Sequence, residues 1–139
     1  MAAAAKIGPL GEELVARFLV KKGYTVLDRN FWKPWGELDL VAKKKGKLHF
    51  VEVKTFSSRV SDETISRETP EKLANSKDKM RPEDNVTPEK IRRLGRIIQT
   101  YLHTKGVSDE TKWEFAVATV LLDIETRRAK ISLLENIIL

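Results

Sequence analysis

The sequence predicts an α/β domain, a single mixed β-sheet flanked by helices, in the order α-β-β-β-(insertion)-α-β-β. Three observations predict it. Leu10, Leu14, Val15, Phe18 and Leu19, and later Ile91, Leu94, Ile97, Ile98 and Tyr101, recur at helical spacing. Short runs of alternating or continuous apolar residues bounded by turn residues read as strands between and after those helices. One long polar stretch separates the two halves of the pattern. A single sheet carrying the helices accounts for that order.

Each element has a local cause. Gly8-Pro9 opens the first helix, because proline in the first turn lacks only an N–H that would be unpaired there; Gly23 ends it. Tyr24 to Phe31 reads as a strand, and Trp32 to Gly36 as a loop. Glu37–Lys43 and Lys47–Thr55 are strands joined by a lysine- and glycine-rich turn. Thr87-Pro88-Glu89 forms an N-cap, a proline at the first helical position and an acid in the first turn of the second helix. Trp113–Leu122 is a strongly apolar strand, and Lys130–Leu134 pairs with it after a turn around Thr126-Arg127. Residues 57–87 carry few apolar side chains among charges of both signs, and such a stretch cannot offset its ordering entropy by burial. They are expected to form a polar mobile insertion within one domain spanning residues 1–139.

A chain of 139 residues is one domain's worth and needs neither disulfides nor a structural metal to fold. It has no cysteine, which excludes a disulfide scaffold, a thiolate zinc site and a cysteine nucleophile. No apolar run approaches the roughly 18 residues of a membrane span. The segment from Met1 to Lys6 lacks the basic-then-apolar pattern of a secretory signal, so a cytoplasmic protein without membrane contact is expected. Lys and Arg number 26 against 20 Asp and Glu, a net charge of +6 that suits a polyanionic partner.

The central hairpin carries the chemistry. If Lys45-Gly46 forms a two-residue turn, Asp39 lies opposite Glu52 and Glu37 opposite Lys54, with Cβ atoms about 4.5–5.5 Å apart. A register slip of one residue would separate them onto opposite faces. Two carboxylates at that spacing repel unless a proton or cation lies between them. One reading is a solvated polar face, with Glu37 and Lys54 as a surface ion pair of little worth. Leu38, Leu40, Val41, Phe50, Val51 and Val53 instead mark a core strand pair, where charge is costly. There, two carboxylates and a lysine suit a hard cation such as Mg²⁺ (Mn²⁺ being the alternative), which takes one or two carboxylates and keeps several waters.

Asp39 followed by Glu52-Val53-Lys54 resembles the signature of the PD-(D/E)xK restriction-endonuclease-like superfamily. More closely, five ordered motifs resemble the YraN family of small bacterial proteins, related in fold to archaeal Holliday-junction resolvases. They are Gly8-x-x-Gly11-Glu12, Gly23-Tyr24, Arg29-Asn30, Gly36-Glu37-x-Asp39-Leu40 and Phe50-Val51-Glu52-Val53-Lys54-Thr55. The similarity is dense over residues 8–55 and thin afterwards. It implies a restriction-endonuclease-like fold, Asp39 and Glu52 as metal ligands with the Val53 carbonyl as a third, and Lys54 as the catalytic lysine. It also implies Glu12 as an accessory acid reaching the same metal; a first-turn acid favoured by the helix dipole is the other reading. Glu37 is expected to partner Lys54. Two departures stand out: Phe56 follows Lys54-Thr55 where the family usually has arginine, with Arg59 the nearest replacement, and Ala116 follows Phe115 where an aspartate is usual.

Other residues carry weaker signals. His49 is expected to face away from Asp39 and Glu52, and His103 to end the second helix, so the two share no metal spacing. Trp32 and Trp35, flanking Pro34, either plug the end of the sheet or stack on bases. Lys43, Lys44, Lys45 and Lys47 form a basic turn, and Lys90, Arg92, Arg93 and Arg96 line a helix. Either group is a solvated face or a nucleic-acid contact whose affinity would fall with salt.

The functional expectation is a metal-dependent nuclease, an endonuclease hydrolysing phosphodiester bonds of DNA, branched or damaged DNA included. The alternative is a non-catalytic nucleic-acid-binding or scaffold protein of the same fold. A third reading, a partner-binding module that uses residues 57–87 for recognition, requires no metal. Resolvase-like relatives act as dimers, so a homodimer is carried as an expectation, with Ile137, Ile138 and Leu139 as its contact.

Overall fold

A computed structural model describes residues 7–58 and 87–137. The element order is the expected one: α1 (Ile7–Lys21), β1 (Thr25–Lys33), β2 (Gly36–Lys44), β3 (Lys47–Ser58), α2 (Pro88–Thr104), β4 (Trp113–Asp123) and β5 (Arg128–Ile137). The strands lie side by side in chain order in one five-stranded sheet. All neighbours are antiparallel except β3 and β4, which run parallel. A parallel pair needs a crossover, and α2 lies within it.

The helices cover opposite faces of the sheet. Val15, Ala16 and Leu19 of α1 pack on Leu40, Ala42, Val51, Ala116, Ala118 and Val120. Leu94, Ile97, Ile98 and Tyr101 of α2 pack on Leu38, Val41, Phe50, Phe115 and Val117. Strand β4 is thus buried on both faces, which explains why it is continuously apolar rather than alternating.

Several boundaries differ from expectation. Strand β1 continues through Trp32 and Lys33, leaving only Pro34-Trp35 as the turn into β2. Strand β3 runs on through Ser57 and Ser58, because β4 pairs with it up to Ser58↔Asp123. Thr87 is the N-cap of α2, its hydroxyl accepting from the Lys90 amide. The insertion expected over residues 57–87 therefore loses both its ends to regular structure; its residues 59–86, Arg59 among them, lie outside the described residues. At the last strand, Ile137 packs into the α2-side core instead of lining an exposed contact. Ile138 and Leu139 lie outside the described residues.

The hairpin turn at Lys45-Gly46 forms as expected, with positive φ at both residues, and sets the predicted register: Lys44↔Lys47 through Leu40↔Val51. Pairing between β2 and β3 stops there. The expected pairs Asp39–Glu52 and Glu37–Lys54 do not form, although β2 remains paired with β1 as far as Lys33↔Gly36. Residues 25–44 thus end in a two-stranded arm that parts from β3. Alternation breaks at the same level: Leu38 packs on the α2 side and Leu40, two residues on, packs on the α1 side. Across from this point in β1, Asn30 adopts φ 52°, a left-handed conformation that asparagine tolerates better than most residues.

Candidate active site

The parting of β2 from β3 creates the site. Asp39 no longer has a backbone partner on β3, yet its Oδ2 accepts a hydrogen bond from the Val53 amide at 2.8 Å. The side chain replaces a rung of the ladder and fixes the carboxylate beside the residue that lies between Glu52 and Lys54. Helix α1 brings Glu12. Gly11 makes its position possible, since a Cβ there would lie 1.9 Å from Thr55 Oγ1; only a glycine lets α1 sit this close to β3. The helix begins at Ile7, so Glu12 stands beyond its first turn, which removes the helix-dipole reading of that acid.

Two adjacent acids of α1 tie it to β1. Glu13 accepts from Arg29 Nη1 at 2.6 Å and from Arg17 Nε at 2.8 Å, which hold its carboxyl below the usual range. With its amide oriented so that the nitrogen faces the two acids, the orientation that their acceptor oxygens require, Asn30 donates to Glu12 Oε1 at 3.1 Å and to Glu37 Oε2 at 3.2 Å. Burial raises the Glu12 pKa; the Asn30 bond opposes the shift and the nearby Glu37 adds to it. Asp39 is the most perturbed acid here, pushed up to about 6. Burial is the main cause, the Val53 hydrogen bond opposes it, and the charges of Glu12, Glu52 and Glu37 add to it.

Glu52 projects from β3 between two cations. Its Oε2 lies 3.4 Å from Lys54 Nζ and 3.0 Å from Lys90 Nζ in the first turn of α2. Glu37, Glu52, Lys90 and Arg93 contribute to a cleft of about 340 Å³, and Gly36 brings the arm close to α2, where a Cβ would stand 3.1 Å from Ile97 Cβ. One side of the site is thus acid-rich (Glu12, Glu37, Asp39), whereas Glu52 is already neutralised by lysines. Among the described residues no three Asp, Glu, His or Cys side chains form a group that could hold a metal ion. Asp39 and Glu52 are the pair whose chemistry fits a hard cation that keeps most of its waters, because the Glu52 charge adds to the cost of ionising Asp39. Glu12 reaches Asp39 through its field, while its carboxylate is engaged by Asn30.

The remaining sequence-level candidates separate. His49 turns away from the acids, as expected, to a buried pairing with Glu114 at the other end of the hairpin. Its Nδ1 lies 3.5 Å from Glu114, which also pairs with Lys47, and its ring meets Tyr24 edge-on at 4.9 Å. The Tyr24 hydroxyl, pushed up to about 12 chiefly by burial and its bond to Glu135, carries Lys44 Nζ 4.9 Å above its ring. Lys44 and Lys47 of the basic turn therefore have partners within the protein, while Lys43 and Lys45 are exposed. On α2, Arg93 pairs with Glu89 and Arg96 stacks 4.6 Å from the Trp35 ring. His103 is exposed in the last turn of α2. Sequence reasoning did not assign Asn30 its bridging role or pair Lys90 with Glu52. An asparagine inside a strand was the available signal for the first; nothing local signalled the second.

The sequence profile of the uncharacterised protein family UPF0102 matches residues 11–124. The chain belongs to this family. The span runs from Gly11, where α1 meets β3, to the turn after β4, and so includes every residue of the candidate site. A UPF0102 protein of Wolinella succinogenes is 33% identical over 132 residues, covering 95% of each chain. One from Syntrophomonas wolfei is 47% identical over 72 residues, 52% of this chain and 63% of that one. A Helicobacter pylori relative is 29% identical over 130 residues, 94% of this chain and 89% of its own. UPF0102 is the YraN family that the motifs in residues 8–55 resemble.

Proposed function

We propose that this UPF0102 protein is a metal-dependent nuclease that hydrolyses DNA phosphodiester bonds, with Asp39, Glu52 and Lys54 as its working residues. The observation that supports this reading is the Asp39–Val53 hydrogen bond. It draws a half-buried carboxylate to the Glu52-Val53-Lys54 segment at a point where the backbone alone would have let it diverge. Asp39 and Glu52 would hold Mg²⁺ or Mn²⁺, with the Val53 carbonyl as the backbone ligand that the resemblance implies and Glu12 as an acid acting through its charge. A cation held there would neutralise phosphate oxygens and acidify water. In the hydrolysis water attacks phosphorus as the P–O bond to the leaving strand breaks, a proton of that water passing to solvent and the leaving oxygen taking one up. Lys54 stabilises the charge that develops on the phosphate oxygens during that attack. Lys90 and Arg93, which line the same cleft, would hold flanking phosphates.

A second reading has one observation in its favour: Lys54 and Lys90 already neutralise Glu52. It is a nucleic-acid-binding or scaffold protein of the same fold without turnover. The deciding experiment offers labelled single-stranded, duplex, flapped and four-way DNA with Mg²⁺ or Mn²⁺ to the wild type, Lys54→Ala and Glu52→Ala. Product from the wild type alone supports the nuclease. Salt-sensitive binding by all three without product favours the second reading, and equal product from all three means a contaminating nuclease.

A further inference from the structure

Trp32 is the most exposed large hydrophobic side chain among the described residues, at 64%. The other two tryptophans are used by the fold. Trp35 packs against the α2-side core, donates from Nε1 to Thr100 Oγ1 at 3.1 Å and lies under Arg96. Trp113 packs edge-on against Phe50 at 5.6 Å. Packing therefore accounts for Trp35 as a plug of the sheet's end and does not account for Trp32.

The backbone beneath Trp32 is nevertheless well held. It is a strand residue of the arm, paired with Glu37, and its neighbour Phe31 is anchored in the α2-side core against Tyr101. Directly opposed residues share a face, with Cβ atoms about 4.5–5.5 Å apart. Trp32 thus stands on the face of Glu37, which the Asn30 amide links to Glu12. An exposed indole on a fixed mount, one cross-strand step from the acid cluster, is placed to touch whatever the acids act on. Charge narrows the choice of occupant. Lys90 and Arg93 line the cleft to which Glu37 also contributes, and the chain carries +6 overall. An anion with flat apolar rings satisfies both the cations and the indole, and a nucleic-acid strand is such a partner. Bases inside a duplex are already stacked on each other; an indole reaches a base face only where a base is unpaired.

We infer that Trp32 stacks on an unpaired base and thereby directs the site to single-stranded or locally unpaired nucleic acid. The inference rests on the nuclease reading for the site's identity, and its test reads binding alone. Fluorescence anisotropy of labelled oligo(dT) and of a blunt duplex, in EDTA so that nothing is cleaved, would be compared for the wild type, Trp32→Ala and Trp32→Phe across a salt series.

Trp32→Ala is expected to lose oligo(dT) affinity by about five-fold to a hundred-fold, the range for one stacked base. Duplex affinity should stay within a factor of about two, since phosphate contacts dominate it. Trp32→Phe should keep most of the oligo(dT) affinity, which a merely structural role for the aromatic side chain would not couple to strand type. Oligo(dT) binding by Trp32→Ala equal to wild type, or an equal loss in Trp32→Phe, overturns the inference, as does a wild type that binds no oligo(dT). Strand-selective binding through Trp32 in a protein that cleaves nothing would uphold it and remove the nuclease reading. Cleavage indifferent to Trp32→Ala, with oligo(dT) affinity unchanged, would do the reverse.

Discussion

Asp39 Oδ2 accepts the Val53 amide hydrogen at 2.8 Å, so a side chain completes the β2–β3 ladder one step beyond its last backbone pair, Leu40↔Val51. This joint makes a half-buried carboxylate both structural and chemical. Its two roles respond differently to charge and to hydrogen bonding, and substitution can separate them.

Asp39→Asn keeps an acceptor for the Val53 amide and removes the charge. The folded-state pKa of about 6 exceeds the ordinary 3.8, so the folded protein holds this proton more tightly than the unfolded chain does. The favourable contribution is complete below pH 4 and is lost as pH rises through about 6. A shift of that size corresponds to roughly 3 kcal/mol at most. The variant is expected to melt higher than the wild type at pH 7–8 without divalent ions, and nearly level with it at pH 4. Differential scanning calorimetry across that range checks this; a variant less stable at pH 8 would contradict it.

Mn²⁺ should relieve the same strain in the wild type. Its binding competes with the Asp39 proton and with the raised Glu12 proton, so affinity should strengthen as pH rises through about 6 and level off above 7. Titration calorimetry with Mn²⁺ at pH 5.5 and 7.5 measures it, and Asp39→Asn should remove most of the difference, leaving the share that belongs to Glu12.

Lys90 competes with any divalent cation for Glu52. Lys90→Ala should therefore tighten Mn²⁺ binding by up to about five-fold, as expected for a partly exposed ion pair. Binding of nucleic acid should weaken in the same variant, with a shallower salt dependence. Unchanged or weaker Mn²⁺ binding would refute the competition, and unchanged nucleic-acid binding would refute the phosphate contact.

Gly11→Ala places a methyl group against Thr55 Oγ1 and should cost about 1–3 kcal/mol by urea denaturation. Thr55→Ala in the same chain should recover most of that loss. If the pair is no better than Gly11→Ala alone, the approach of α1 to β3 is not what requires the glycine.

Much of this arrangement is legible in local sequence. The Lys45-Gly46 turn sets the register, Thr87-Pro88 opens α2 at its capping residue, and the unbroken apolar run at 115–118 marks a strand covered on both faces. Alternation, by contrast, misplaces the acids, because it assumes that β2 stays paired with β3 to its end. The left-handed Asn30 on the neighbouring strand accompanies the break, and period-two patterning cannot represent it. Glu52 and Lys90 meet only through packing of α2 beside Gly36, a tertiary event with no local signature.

The parallel seam between β3 and β4 also bears on the order of folding. Helix α1 and the β1–β2–β3 meander join neighbours in the chain, whereas Leu48 meets Trp113 only after a long loop has closed. Contacts local in sequence form first as a rule. The knot of Glu12, Asn30, Asp39 and Val53 should accordingly nucleate early, before β4 arrives to shield it. Pulse-labelled hydrogen exchange during refolding would then find amides of the β2–β3 hairpin protected ahead of those in β5. A nascent chain would carry its acid cluster assembled while half of its hydrophobic interior was still to come.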